Sequence, residues 1–220
     1  MMTGHRQGVI LLHGLARTCL SMRSTASYLR QLGYKVLNLD YPSRRFPIER
    51  LAQDVLPPAL ATIRKQDVDT VHFVTHSMGG IVLRSFLSVN GIFPELGRVV
   101  MLSPPNQGSE LVDLLRSFFW FRRFFGPAGQ QLGTDPCSLP NQLGPARFVL
   151  GIITGDRPFK GFGYFFSEPS DGKVTVSRAK LTGMTDFLVV PYGHSMIMSH
   201  RPVHEQIGYF LKNGRFRRNR

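Results

Sequence analysis

The chain is short of acid. Its 220 residues carry 14 Asp and Glu against 27 Lys and Arg, a formal net charge of +13. It has only two cysteines, Cys19 and Cys137. That excludes a disulfide-stapled miniprotein, and the two thiols are expected to be free. No apolar run approaches the length needed to span a bilayer, and no repeat or low-complexity segment is visible. The opening "MMTGHRQGVILLHG" enters a strand-like run with no separate apolar h-region and no small-residue cleavage site. No signal peptide is expected, therefore, and a cytoplasmic location is, with peripheral attachment to a membrane left open. The acid deficit has two readings: attraction to an anionic membrane, or an arginine bias spread over solvated faces. The C-terminal "RFRRNR", residues 215–220, gathers Arg215, Arg217, Arg218 and Arg220. It reads as a mobile basic tail, dispensable for folding and the first candidate for contact with anionic lipid. Nucleic acid is not expected as a partner.

What the chain does have is core material. With 42% hydrophobic residues and 17 Phe, it can fill one domain over residues 1–220. Six short apolar runs are rich in Val, Ile, Leu or Phe and do not alternate. They are "GVILL" (8–12), "YKVLNL" (34–39), "VHFV" (71–74), "RVVML" (98–102), "FVLGII" (148–153) and "DFLVV" (186–190). Strands covered on both faces read this way. Helical patterns at 21–32, 78–89 and 202–211 fall between or after them. The class is therefore α/β, a doubly wound, mostly parallel sheet of about six strands flanked by helices. Pro57 and Pro58 are expected to break or kink the helix between 47 and 65. Residues 104–147 are too long for a plain connection and read as a lid- or cap-like insertion.

Chemistry is carried by "VTHSMGG", residues 74–80. Ser77 follows an apolar strand and precedes a helical run, the context of a nucleophile elbow. The turn demands small residues two before and two after the serine. Gly79 meets that demand, and Thr75 departs from it. A serine needs a base, and the base should lie late in the chain. His194, in the loop after the last strand, is the first choice over His200 and His204. For the acid that orients the histidine, Asp171 in "PSDGKVTV" and Asp156 in "ITGDRP" are nearly even by position, with Glu168 third. The oxyanion donors are expected to be the backbone N–H groups of Met78 and Leu15. His13 and His76 read as neighbours of the site rather than bases. His13 is also a candidate for substrate contact, with Phe118 and Trp120. The last two belong to "SFFWFRRFFGP" (117–127), which is either a lipid-facing lid over an acyl groove or a set of rings packed on the sheet edge. No metal and no cofactor are called for.

Taken together, "VILLHGLAR", "THSMGGIV", "LSPPNQGSELVD", "SDGKVTV" and "PYGHSMIM" resemble a bacterial lipase/esterase-like α/β-hydrolase of the small lipase type, over residues 9–216. The resemblance implies an α/β-hydrolase fold and a serine esterase or lipase acting on a small-molecule or lipid ester. It favours Asp171 over Asp156 as the acid and supports His194. An acyltransferase using the same residues, or a silent membrane-surface binding protein on a hydrolase scaffold, are the other functions the sequence allows.

Overall fold

A computed structural model describes residues 6–158 and 166–218. Met1 to His5, the stretch 159–165, and Asn219 and Arg220 of the basic tail lie outside the described residues.

Six strands form one sheet: β1 (Gln7–Leu12), β2 (Lys35–Leu39), β3 (Thr70–His76), β4 (Leu96–Leu102), β5 (Leu150–Gly155) and β6 (Asp186–Val190). The spatial order is β2-β1-β3-β4-β5-β6, and every neighbouring pair is parallel. Side chains alternate across the sheet, so each strand feeds two cores. Ile10, Leu12, Phe73, Val99, Met101 and Ile152 point to one face, under α2 (Ile48–Arg64) and α3 (Met78–Asn90). Val9, Leu11, Val74, Val100, Leu102 and Ile153 point to the other, under α1 (Arg23–Gln31) and α8 (Arg201–Asn213). This double cover is why the strands read as unbroken apolar runs.

The chain leaves β1 toward β2 and returns across β1 to β3. The loops after β1 and β3 therefore part in opposite directions, which opens a crevice at their carboxyl ends. Leu12 and Thr75 are in register there, so Gly14 and Ser77 emerge side by side.

Two expectations fail. Helix α2 runs without a break through Pro57 and Pro58. The prolines cannot donate to the carbonyls of Gln53 and Asp54, but all four residues lie on the exposed side, where water can replace the lost partners. Nor is the described part of the basic tail free. Phe216 is buried against Phe210. The Phe216 N–H donates to Asp186 Oδ2 at 2.6 Å, and Arg218 reaches Asp186 Oδ1 at 2.6 Å. One aromatic residue and one strand-edge carboxylate hold down what its charge suggested would be mobile.

Residues 104–147 contain three helices: α4 (Glu110–Leu115), α5 (Phe119–Gln130) and α6 (Leu139–Gln142). Helix α5 is interrupted at Gly126, whose φ of 63° and close approach to the Arg44 carbonyl exclude a side chain. A short helix, α7 (Val176–Ala179), follows the loop that carries Asp171. Residues 104–147 are tied to this loop by Ser109 Oγ, which donates to the Lys173 carbonyl at 2.6 Å, and by the Arg178–Glu110 ion pair. Cys19 and Cys137 are unpaired. Among the described residues, no helix is long and apolar enough to cross a membrane.

Candidate active site

Ser77 sits between β3 and α3 with φ 53° and ψ −124°, a conformation costly for a residue with a Cβ. The strain turns its Oγ out of the sheet. Gly79 makes the sharp turn possible, because a Cβ there would stand 2.7 Å from the Leu12 carbonyl oxygen. Gly14 is needed for the same reason, since its Cβ would meet His76 Nδ1 at 2.9 Å and Ser77 Cβ at 3.1 Å. Thr75 is fully buried, and room for it comes from an unexpected place. A Cβ on Gly80 would lie 3.2 Å from Thr75 Oγ1, so the second glycine of "MGG" accommodates the threonine that departs from the elbow pattern.

The structure brings Ser77, His194 and Asp171 together. Ser77 Oγ is 3.0 Å from His194 Nε2, and His194 Nδ1 is 2.8 Å from Asp171 Oδ2. The other carboxylate oxygen of Asp171 accepts the backbone N–H groups of Lys173 and Val174, at 3.0 and 2.9 Å. The His194 N–H donates to the Asp171 carbonyl at 2.9 Å, so the two loops are also joined through their backbones. Burial by itself would raise the pKa of Asp171. The adjoining His194 and the hydrogen bonds to the carboxylate outweigh burial and hold it below its ordinary value.

The other candidates from the sequence sit elsewhere. Asp156 lies just past β5 beside Arg157, and Glu168 is exposed. His200 stacks on Tyr192 with ring centroids 3.7 Å apart, and His204 bonds the Met198 carbonyl.

Met78 opens α3, so its N–H is one of the donors a helix start leaves unpaired. Leu15 lies in the loop after β1 and, with Ser77, lines a cavity of about 110 Å³. The next residue, Ala16, takes a left-handed φ of 56° and donates its N–H to Ser43 Oγ. That contact fixes the loop that presents Leu15.

The cavity wall is mostly apolar: Leu15, Val112, Leu115, Phe121, Phe125 and Leu132. Residues 104–147 supply all of these but Leu15. Phe118 and Trp120 do not line the cavity, and both are about half exposed. His13 does not line it either. It is fully buried, stacks on Tyr41 at 4.1 Å and bonds locally to Gly14 and Tyr41. The ring-rich segment therefore divides, with Phe121 and Phe125 facing the cavity and Phe118, Phe119, Trp120 and Phe124 facing outward. Sequence reading missed the inner pair, and helical spacing does not single it out, because Phe118 shares the stripe of Phe121 and Phe125 and yet faces outward. It also missed Arg17 and Lys173 at the cavity, and Ser103, a buried residue at φ 47° beside Asp171.

A model described as "Alpha/beta hydrolase family" matches residues 9–202. No curated protein matches the chain. Among solved structures, the mature form of the Bacillus licheniformis lipase BlEst2 is similar, at 20% identity and a TM-score of 0.71, over 96% of this chain and 92% of that one. Phospholipase PlaB from Legionella pneumophila is similar at 18% identity and 0.76, over 96% of this chain and 60% of that one. The Pyrococcus furiosus esterase PF2001 is similar at 20% identity and 0.68, over 95% and 82%. At these identities the likeness is one of fold.

Proposed function

The chain belongs to the alpha/beta hydrolase family, and from that premise we propose that it hydrolyses carboxylic esters through an acyl-enzyme on Ser77. One observation carries this reading. A strained serine at the crevice of the sheet lies in unbroken hydrogen-bond contact with a histidine and a buried carboxylate, beside an apolar cavity. A lipase, a phospholipase and an esterase among the similar folds support it.

In the proposed sequence, Ser77 Oγ attacks the ester carbonyl while His194 Nε2 takes its proton. Asp171 keeps the other ring nitrogen protonated and stabilises the imidazolium that forms. The N–H groups of Leu15 and Met78 receive the negative charge that develops on the carbonyl oxygen. His194 returns the proton to the departing alcohol, and water then repeats the steps on the acyl-enzyme. The acyl group occupies the cavity. An apolar cavity of about 150 Å³ admits benzene, so the smaller 110 Å³ here fits a short acyl chain. An alcohol in place of water gives acyl transfer from the same intermediate, and product analysis with glycerol as acceptor separates the two.

The test is labelling. A fluorophosphonate should attach once per chain, on the peptide carrying Ser77, and His194→Ala should abolish the reaction. Labelling elsewhere, or none, contradicts the proposal.

A further inference from the structure

Two cations at the cavity have no role in the hydrolysis just described. Arg17 and Lys173 both line it beside Ser77 and His194. Among the described residues, neither has a carboxylate within ion-pair distance. Asp171, two residues before Lys173 in the same loop, is already committed: one oxygen takes two backbone amides and the other takes His194. The Arg17 guanidinium donates to the Ser195 carbonyl at 3.3 Å, which leaves most of its donors unassigned.

The two charges feel each other. Solvent reaches Lys173. Even so, desolvation and then the charge of Arg17 lower the proton affinity of its ammonium, with Asp171 opposing. Both cations also lower the proton affinity of buried His76, after the larger effects of burial and His194. Two like charges held together without a counter-ion form a site that an anion would relieve.

The surroundings say which half of a substrate carries that anion. On one side of Arg17 is the apolar cavity, suited to an acyl chain. On the other side the surface opens into a groove of about 710 Å³, where Leu20, Met196 and Met198 alternate with Ser21, Ser24 and the cationic Arg23. Arg17 stands at the boundary and lines both.

Resting on the hydrolase reading, we propose that Arg17 and Lys173 hold a phosphate carried by the alcohol half of the ester. The substrate class is then a short-chain acyl ester of a phosphorylated alcohol. The planar guanidinium fork suits phosphate oxygens, and the ammonium adds a second point charge to match a dianion. The chemistry spares the phosphate. The acyl C–O bond breaks as the bond to Ser77 Oγ forms, and the proton from Ser77 leaves with the alkoxide by way of His194. Water then releases the acyl group as a carboxylic acid.

The test compares butyrylglycerol phosphate with monobutyrylglycerol, using each enzyme as its own control. The wild type should show a kcat/KM at least ten-fold higher on the phosphate ester at low salt, and the preference should shrink as salt screens it. Arg17→Gln and Lys173→Gln should each cut the ratio by about ten-fold. Arg17→Lys, which keeps charge but loses the fork, should fall between. A third arm, micellar lysophosphatidic acid against its neutral monoacylglycerol, distinguishes a phosphate read on a lipid surface from one read on a single soluble molecule. A preference in either arm that both Gln variants reduce supports the proposal. Equal rates on charged and neutral esters in both arms, or ratios unchanged in both variants, overturn it. If p-nitrophenyl butyrate is also not hydrolysed, the fault lies with the hydrolase reading itself.

Discussion

His76, the residue before Ser77, has its ring nitrogen Nε2 3.0 Å from the backbone carbonyl oxygen of His194. The acceptor is a carbonyl, so Nε2 carries the proton. Burial, then the neighbouring His194, push the pKa of His76 well below the usual histidine value and keep the ring neutral. One side chain thus joins the elbow to the loop that carries the proposed base. His76→Ala should lower kcat by about ten- to a hundred-fold through misplacement of His194, with KM little changed. The measurement is steady-state kinetics on a soluble p-nitrophenyl ester. A large rise in KM with normal kcat would place His76 in substrate binding instead.

Stability should depend on pH through a second buried histidine. His72 accepts the Arg98 N–H at Nδ1, at 2.7 Å, and burial, then the Arg98 charge, push its pKa down from 6.5 to about 4. Between those values the unfolded chain binds a proton that the folded chain refuses. Its contribution is complete above about pH 6.5 and is lost as pH falls toward about 4, on the order of 3 kcal/mol in total. His13, His76 and His204 shift in the same direction. Urea midpoints at pH 7 and pH 4.5 should therefore differ, and His72→Asn should narrow the gap while lowering both values.

Residues 104–147 should set acyl length. With Phe121 and Phe125 intact, kcat/KM on p-nitrophenyl esters should peak near four carbons and fall for long chains. Phe125→Ala removes one ring from the wall and should move the optimum to longer chains. It should leave stability less affected than Phe121→Ala, because Phe121 is the more buried of the two. An unchanged profile in both variants would mean that the acyl chain lies elsewhere.

The C-terminus should matter for folding. Phe216→Ala, or truncation after Gly214, removes a buried ring from the core under α8. A loss of about 3 kcal/mol is expected, read as a lower Tm. Arg215→Ala keeps the ring and should be nearly neutral. If truncation leaves Tm unchanged, the docked tail contributes nothing.

The elements that sequence reading placed well are those whose signals are local. Ser77 is flanked by its own strand and helix, and β6 was delimited to the residue because its apolar run is bounded by Asp186 and Pro191. The contacts that bring Asp171, and not Asp156, to His194 are not local. Residues 171 and 194 meet only once β5 and β6 are paired, so position alone left the two aspartates nearly even. Phe216 was hidden by its arginine neighbours, because tail composition says nothing about a ring that finds a gap beside Phe210. Pro57 and Pro58 misled for a similar reason. Their cost depends on which side of α2 faces water, and that is fixed by packing rather than by the dipeptide.

The central claim is that Ser77 forms the acyl-enzyme, and the most direct test is rapid mixing with excess p-nitrophenyl butyrate. The wild type should release about one equivalent of p-nitrophenol per chain in a burst before steady turnover, provided deacylation is the slower step. Ser77→Ala should show no burst and a kcat lower by about a million-fold. Near-normal turnover in Ser77→Ala would contradict the account.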